Sequence, residues 1–199
     1  EALEQARSYR PLVLIDRALG QIPAVLSDPH SGMKQAVEQL KEKGHTHIGY
    51  LSGPQETSTG RQRLHAFKTS TRGMPTHIHH GSYRHREGYK GAIALLQEGV
   101  TALIAGDSMM TAGALEACHN AGKRIGEEIA LVGFDDFIYL RFQPSPISVV
   151  DQDVARMGET ATAKLITAIN DKHQPEGEVL ETRYIPRMST AHQLDGATP

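Results

Sequence analysis

Two hydrophobic periods alternate along the chain. Short apolar runs bounded by turn residues fall at 11–16 (PLVLID), 24–27 (AVLS), 47–53 (HIGYLSG), 101–106 (TALIAG), 129–134 (IALVGF) and 147–150 (ISVV), and each predicts a strand. Helical spacing separates them. Met33, Ala36, Val37 and Leu40 stand at i, i+3, i+4 and i+7 with Gly44 as the stop, and similar patterns predict helices near 59–71, 86–98 and 108–121. A last helix, 153–171, carries the stripe Val154, Met157, Ala161, Leu165 and Ile169. The opening EALEQARSYR is polar and also reads as helical. The strands are apolar throughout instead of at every second residue, which predicts parallel sheets covered by helices on both faces and so an α/β fold.

Composition narrows the function classes. The 199 residues are 39% hydrophobic and 22% charged, enough for one sizeable domain or two small lobes with true cores. No apolar run reaches the roughly 20 residues that span a bilayer, and the start lacks a signal peptide's apolar segment, so the expected compartment is the cytoplasm and no membrane partner is expected. A formal charge of −2 lacks the basic surplus of a DNA-binding module, so this chain alone is not expected to grip nucleic acid. The single cysteine, Cys118, reads as a small buried hydrophobe on a helix. The run HIHH at 77–80, with His85 nearby, invites a metal reading, but alternate strand residues face opposite sides and no Cys or HExxH pattern completes a ligand set. These are read as strand or surface histidines, and no metal or cofactor is expected.

Chemistry concentrates where the apolar runs stop. Asp16 and Arg17, Asp28, Asp107, Asp135 and Asp136, and then Asp151, Gln152 and Asp153 all follow predicted strands. For any single Asp a helix N-cap is the simpler reading, since Asp107 and Asp153 precede helices. A ring of carboxylates and amides beyond the carboxyl ends of parallel strands is better explained as a pocket for a small polar molecule. Arg63 and Tyr83 add bidentate and stacking reach, which suits a sugar, a phosphosugar or a nucleobase. The loop LSGPQETSTGR lacks GxxxxGK[ST], and no ordered GxGxxG appears, so a nucleoside triphosphate is not expected. Ser108 in GDSM superficially offers a nucleophile, but no GxSxG elbow or positioned base accompanies it, so it reads as a first-turn helix residue and the chain as a non-enzyme.

Taken in order, GHTHIGYLSGP (44–54), Arg63, TALIAGDSMMTAGALEACHNAGKRIGEEIALVGFDD (101–136), ISVVDQD (147–153), MGETATAKLI (157–166) and YIPRMST (184–190) resemble the effector-binding domain of LacI/GalR-family bacterial transcriptional repressors. The likeness runs from Pro11 to Thr190. It implies a periplasmic-binding-protein-like fold of two doubly wound parallel-sheet lobes joined by crossover strands, with an effector in the cleft between them. It also implies a homodimer and operator DNA bound through a helix-turn-helix. Carried over by position, the effector contacts are Asp16, Ser58, Thr59, Arg63, Tyr83, Asp107, Asp135 as the first acid of GFDD, and Gln152. Gly106 stands before Asp107 where some sugar-binding members carry an amide, which leaves nucleobase and phosphosugar effectors open beside sugars. Asp136 is read as a turn or cap residue.

The sequence also departs from the family pattern. The helix-turn-helix and the opening half of the N-terminal lobe are absent, and residues 67–81 look several residues short of the usual helix-to-strand connection. The expected division is 1–28 and 152–176 as the remnant of an incomplete N-terminal lobe, 29–151 and 177–191 as the C-terminal lobe, and 192–199 as a tail. A lobe of so few strands buries little apolar surface, so it is expected to be exposed or held by a partner chain. A solute-binding protein of a transport system would share the fold and is the alternative to a regulator.

Overall fold

The computed structural model describes residues 10–194 together with Leu3 and Gln5. Apart from Leu3 and Gln5, which are helical, and Arg10, the helix expected over 1–10 lies outside the described residues, as does the last part of the expected tail. Elements follow in the order β1 (Leu14–Ile15), β2 (Ala24–Asp28), α1 (His30–Glu42), β3 (Ile48–Ser52), α2 (Ser58–Ser70), β4 (Thr76–His80), α3 (His85–Gln97), β5 (Ala102–Ala105) and α4 (Ser108–Asn120). After these come β6 (Ala130–Phe134), the single turn α5 (Ile138–Arg141), β7 (Ser148–Asp151), α6 (Val154–Asn170), β8 (Glu178–Glu181), β9 (Arg183–Ile185) and a 3-10 turn at Met188–Thr190.

The larger sheet has the order β4-β3-β5-β6-β7-β9, parallel except for β9, which runs antiparallel to β7. Its strands are apolar on both sides because each face is covered. Tyr50, Ile104, Val132, Phe134 and Val150 point toward α1 and α2, where Met33, Val37, Leu40, Leu64 and Phe67 close the layer. Leu51, Leu103, Ala105, Leu131 and Val149 point the other way, toward α3 and α4, where Leu95, Met110, Ala114 and Cys118 meet them. Cys118 is thus the small buried hydrophobe expected of it, and burial pushes its thiol up to about 11. The HIHH run forms β4 at the edge of this sheet, where His77 Nδ1 stands 2.5 Å from Glu98 Oε2.

The smaller sheet is the parallel set β1-β2-β8, backed by α6. Its core is Val25, Met157, Ala161 and Leu180, with Val13 against it. The predicted strand at 11–16 shrinks to two residues, with Ile15 about half exposed on the sheet's open edge. The expected division placed all of 177–191 in the larger lobe. Residues 178–181 instead pair with β2, from Val25 opposite Glu178 to Asp28 opposite Glu181, because Leu180 completes the Met157–Ala161 contact. The chain changes sheets at the buried Thr182, whose N–H and hydroxyl both donate to the Asp28 carbonyl and whose hydroxyl accepts from Gly32 N–H. The start of the tail lies along the end of α1, with Leu194 N–H donating to Lys43 O at 3.0 Å.

Apolar burial per strand is much lower in the small sheet than in the large one, so its backbone opens at lower free energy. Native-state hydrogen exchange is expected to show amides of β2 and β8 exchanging faster than those of β3, β5 and β6. Equal protection in both sheets of a monomer is the contrary result.

Candidate functional site

The carboxyl ends of β1, β5, β6 and β7 meet around one side chain, Arg63. The loop after β3 is fixed by Gln55, whose side-chain amide donates to Ser52 Oγ and to the carbonyls of Gly53 and Gly60. Thr57 then caps α2 by accepting from Gly60 N–H at 3.1 Å. That start sets the helix phase, and Arg63 falls on the face turned toward the sheet ends. Its side chain is 5% exposed. The guanidinium lies 3.9 Å from the Phe134 ring centroid and donates to Gly106 O at 2.8 Å, Gln152 Oε1 at 3.3 Å and Asp16 Oδ1 at 3.4 Å. One cation therefore touches the ends of β1, β5 and β7 while stacking on the end of β6.

The remaining expected residues gather around it. Gln152 is buried at the crossover after β7, and its Oε1 also accepts from Ser27 Oγ at 2.8 Å. Ser58 Oγ accepts from Ala18 N–H at 3.2 Å, tying the start of α2 to the loop after β1. Tyr83 donates to Thr59 Oγ1 at 3.2 Å, with Arg63 and Arg17 each just under 6 Å from its ring centroid. Tyr83 can pack so close because position 53 is glycine; a Cβ there would stand 2.0 Å from its ring. Asp107 caps α4 by accepting from Met109 N–H at 2.8 Å and Met110 N–H at 3.3 Å. Its charge raises the pKa of both Asp135 and Tyr50, in each case behind the larger effect of burial. Ser108 occupies the first turn of α4, as expected.

The acids after the strands divide into two groups. Asp28 accepts from His30, Asp153 caps α6 and Asp151 pairs with Arg183. Asp16 bonds to Arg63 and Asp135 follows the Phe134 ring on which Arg63 lies; both adopt left-handed backbone, φ 69° and 64°, as does the cap Asp153 at 55°. Asp tolerates that conformation better than most residues, but it remains sparsely populated and concentrates at functional sites. Asp135 is 8% exposed and its Oδ1 has no hydrogen-bond partner. Burial raises its pKa to about 6, against the opposing pull of the Arg63 charge and a Gln152 hydrogen bond.

Asp136 departs from the expected turn or cap role. It accepts from Arg141 at 2.8 Å and from Arg187 at 2.7 Å, bracing α5 and the chain after β9. Burial works to raise its pKa, but the two arginines outweigh that and hold the carboxyl below its usual range. Sequence reasoning missed Ser27, read only as the last residue of the strand AVLS, and Phe134, read only as part of the buried strand IALVGF. It also missed Tyr50, whose fully buried hydroxyl has no hydrogen-bond partner among the described residues.

The sign of the Asp135 shift gives a prediction. Its folded pKa lies above the ordinary 3.8, so its favourable contribution is present at low pH and is lost as pH rises toward and through 6. Asp135→Asn is therefore expected to stabilise the fold by about 2 kcal/mol at pH 8, with the gain vanishing near pH 4. Urea unfolding at the two pH values measures it, and a pH-independent effect contradicts it.

The profile of the family described as periplasmic binding protein-like domain matches residues 37–190. Over 193 residues the chain is 28% identical to the HTH-type transcriptional regulator MalR of Streptomyces coelicolor, covering 91% of this chain and 56% of that protein. It therefore spans a little over half the length of that curated relative. The crystal structure of a probable LacI family transcriptional regulator from Corynebacterium glutamicum is 38% identical, with a TM-score of 0.87 over 94% of this chain and 72% of that one. The complex of the transcriptional regulator CelR with cellobiose is 29% identical, with a TM-score of 0.79 over 89% of this chain and 58% of that one. With its order of sheets, its crossovers and these likenesses, the chain belongs to the periplasmic binding protein-like domain family, in the branch of the LacI/GalR-type transcriptional regulators.

Proposed function

We propose that this chain is the effector-sensing part of a LacI/GalR-type DNA-binding regulator and takes a small polar ligand, a sugar, phosphosugar or nucleobase, between its two sheets. The observation that carries this reading is Arg63. A buried guanidinium on the large-sheet side reaches Asp16 at the end of the small sheet and Gln152 at a crossover between them. A ligand that hydrogen-bonds to Arg63, Asp135 or Asp16 replaces bonds that run between the lobes, so it has different affinities for different lobe arrangements. That difference is all a ligand can use to shift the equilibrium. The cellobiose complex of CelR supports a polyhydroxyl ligand.

In this reading the lobe shift is passed to operator DNA through a helix-turn-helix outside this chain, in a homodimer in the cytoplasm. Ile138 and Phe142, 60% and 80% exposed, offer apolar surface for the dimer contact. No helix among the described residues is long and apolar enough to cross a membrane.

Calorimetry of the full-length gene product with D-ribose, cellobiose, maltose, ribose 5-phosphate and guanine tests the cleft. One of these is expected to bind, and Asp135→Asn is expected to weaken it about ten-fold or more, as befits loss of a charged acceptor. Asp136→Asn is expected to leave affinity near wild type and to lower stability by about 1–3 kcal/mol, because it removes the charge that pairs with Arg187 and Arg141. Failure of every compound to bind counts against the reading. Operator retardation by the same protein, relieved or strengthened by the bound compound, distinguishes a regulator from a transport protein.

A further inference from the structure

Tyr50 has no role in the cleft as described so far. It sits in the middle of β3, fully buried, with its ring stacked on Phe67 at 4.5 Å between centroids. Phenylalanine would fill that volume equally well. The hydroxyl is therefore the part that needs an explanation, and it is buried without a partner. Burial, above all, raises its pKa, so it remains a protonated donor at neutral pH.

The direction of the ring gives the clue. Pairing of β3 with β5 sets Tyr50 opposite Ile104, so Gly106 lies two residues farther toward the carboxyl edge, about 6–7 Å along the strand. A phenol laid along the sheet spans that distance. A Cβ built on Gly106 would stand 2.8 Å from the Tyr50 hydroxyl and 2.6 Å from Leu51 O. The absence of a side chain at 106 is what leaves room for the buried hydroxyl beside Gly106, whose carbonyl Arg63 holds. Asp135 directly follows Phe134, whose ring centroid lies 3.9 Å from that same guanidinium, and its Oδ1 is the other buried side-chain N or O atom without a partner among the described residues. An unsatisfied donor and an unsatisfied acceptor therefore share one neighbourhood.

Buried polar atoms are almost always paired, and two orphans at one site need a common explanation. We propose that the Tyr50 hydroxyl is a specificity-determining contact of the cleft, donating to an acceptor on the bound molecule while Asp135 accepts from a donor on it. The inference rests on the cleft reading above and deepens it. A hydroxyl offers both functions at once, so the ligand class is neutral and hydroxyl-bearing. A phosphate dianion lacks the donor and would face Asp16, Asp107 and Asp135 with an Arg63 already bonded to protein.

The test compares Tyr50→Phe with wild type, using the full-length protein and the same five compounds. Wild type is expected to bind a neutral sugar in preference to ribose 5-phosphate, and the variant to bind that sugar about ten-fold more weakly. The Tm of the unliganded variant is expected to equal or exceed that of wild type, since a buried unpaired hydroxyl has been removed. Unchanged affinity in the variant overturns the inference alone, as does a Tm lowered by several degrees, which would assign the hydroxyl to the fold. Preference for ribose 5-phosphate overturns it too. No binding by wild type overturns the cleft reading and the inference with it.

Discussion

A cation buried to 5% exposure constrains everything around it. Arg63 cannot shed its charge, so the structure must supply acceptors from several directions and an aromatic face beneath. Gly106 O, Gln152 Oε1, Asp16 Oδ1 and the Phe134 ring meet that demand, and they come from four different strand ends. The strand ends are thereby held in mutual register at the point where the two sheets face one another. Asp135 shows the limit of this compensation. It lies near the same cation, yet burial outweighs the attraction and its carboxylate is held at a cost.

Among the described residues three crossings connect the sheets: β2 to α1 after Asp28, β7 to α6 through Gln152, and β8 to β9 through Thr182. Their polar groups are tied to one another or to the cleft. Thr182 bonds to Asp28 O and Gly32 N–H, and Gln152 accepts from both Ser27 and Arg63. Bending at the crossings therefore disturbs the bonds that orient Gln152. In this geometry the crossings and the candidate ligand site share atoms.

The doubly covered sheet was legible in the sequence because runs such as IALVGF bury every residue, and that pattern has few other solutions. The helix at Met33–Leu40 was equally plain from its spacing. The split between sheets was not legible at 178–181, because EVLE shows one inward residue, Leu180, and its pairing partner lies over 150 positions away. At the site, residue types and positions pointed to Arg63, Asp16, Asp135 and Gln152, and the structure brings them together. Asp136 was misjudged because its partners, Arg141 and Arg187, are set by tertiary folding. Tyr50 was invisible for a related reason: in a run of apolar residues a phenol reads as core, and only the missing side chain at Gly106 reveals where its hydroxyl ends.

The chain's change of sheets at Thr182 also has a consequence for biosynthesis. β8 is the outer strand of the small sheet and β9 the outer strand of the large one, and both belong to the segment Glu178–Ile185 near the end of the described chain. During translation neither sheet can reach its full width until this segment has left the ribosome. The two sheets thus gain these strands within a few residues of each other, and the nascent chain cannot set either one in place before Glu178–Ile185 has emerged.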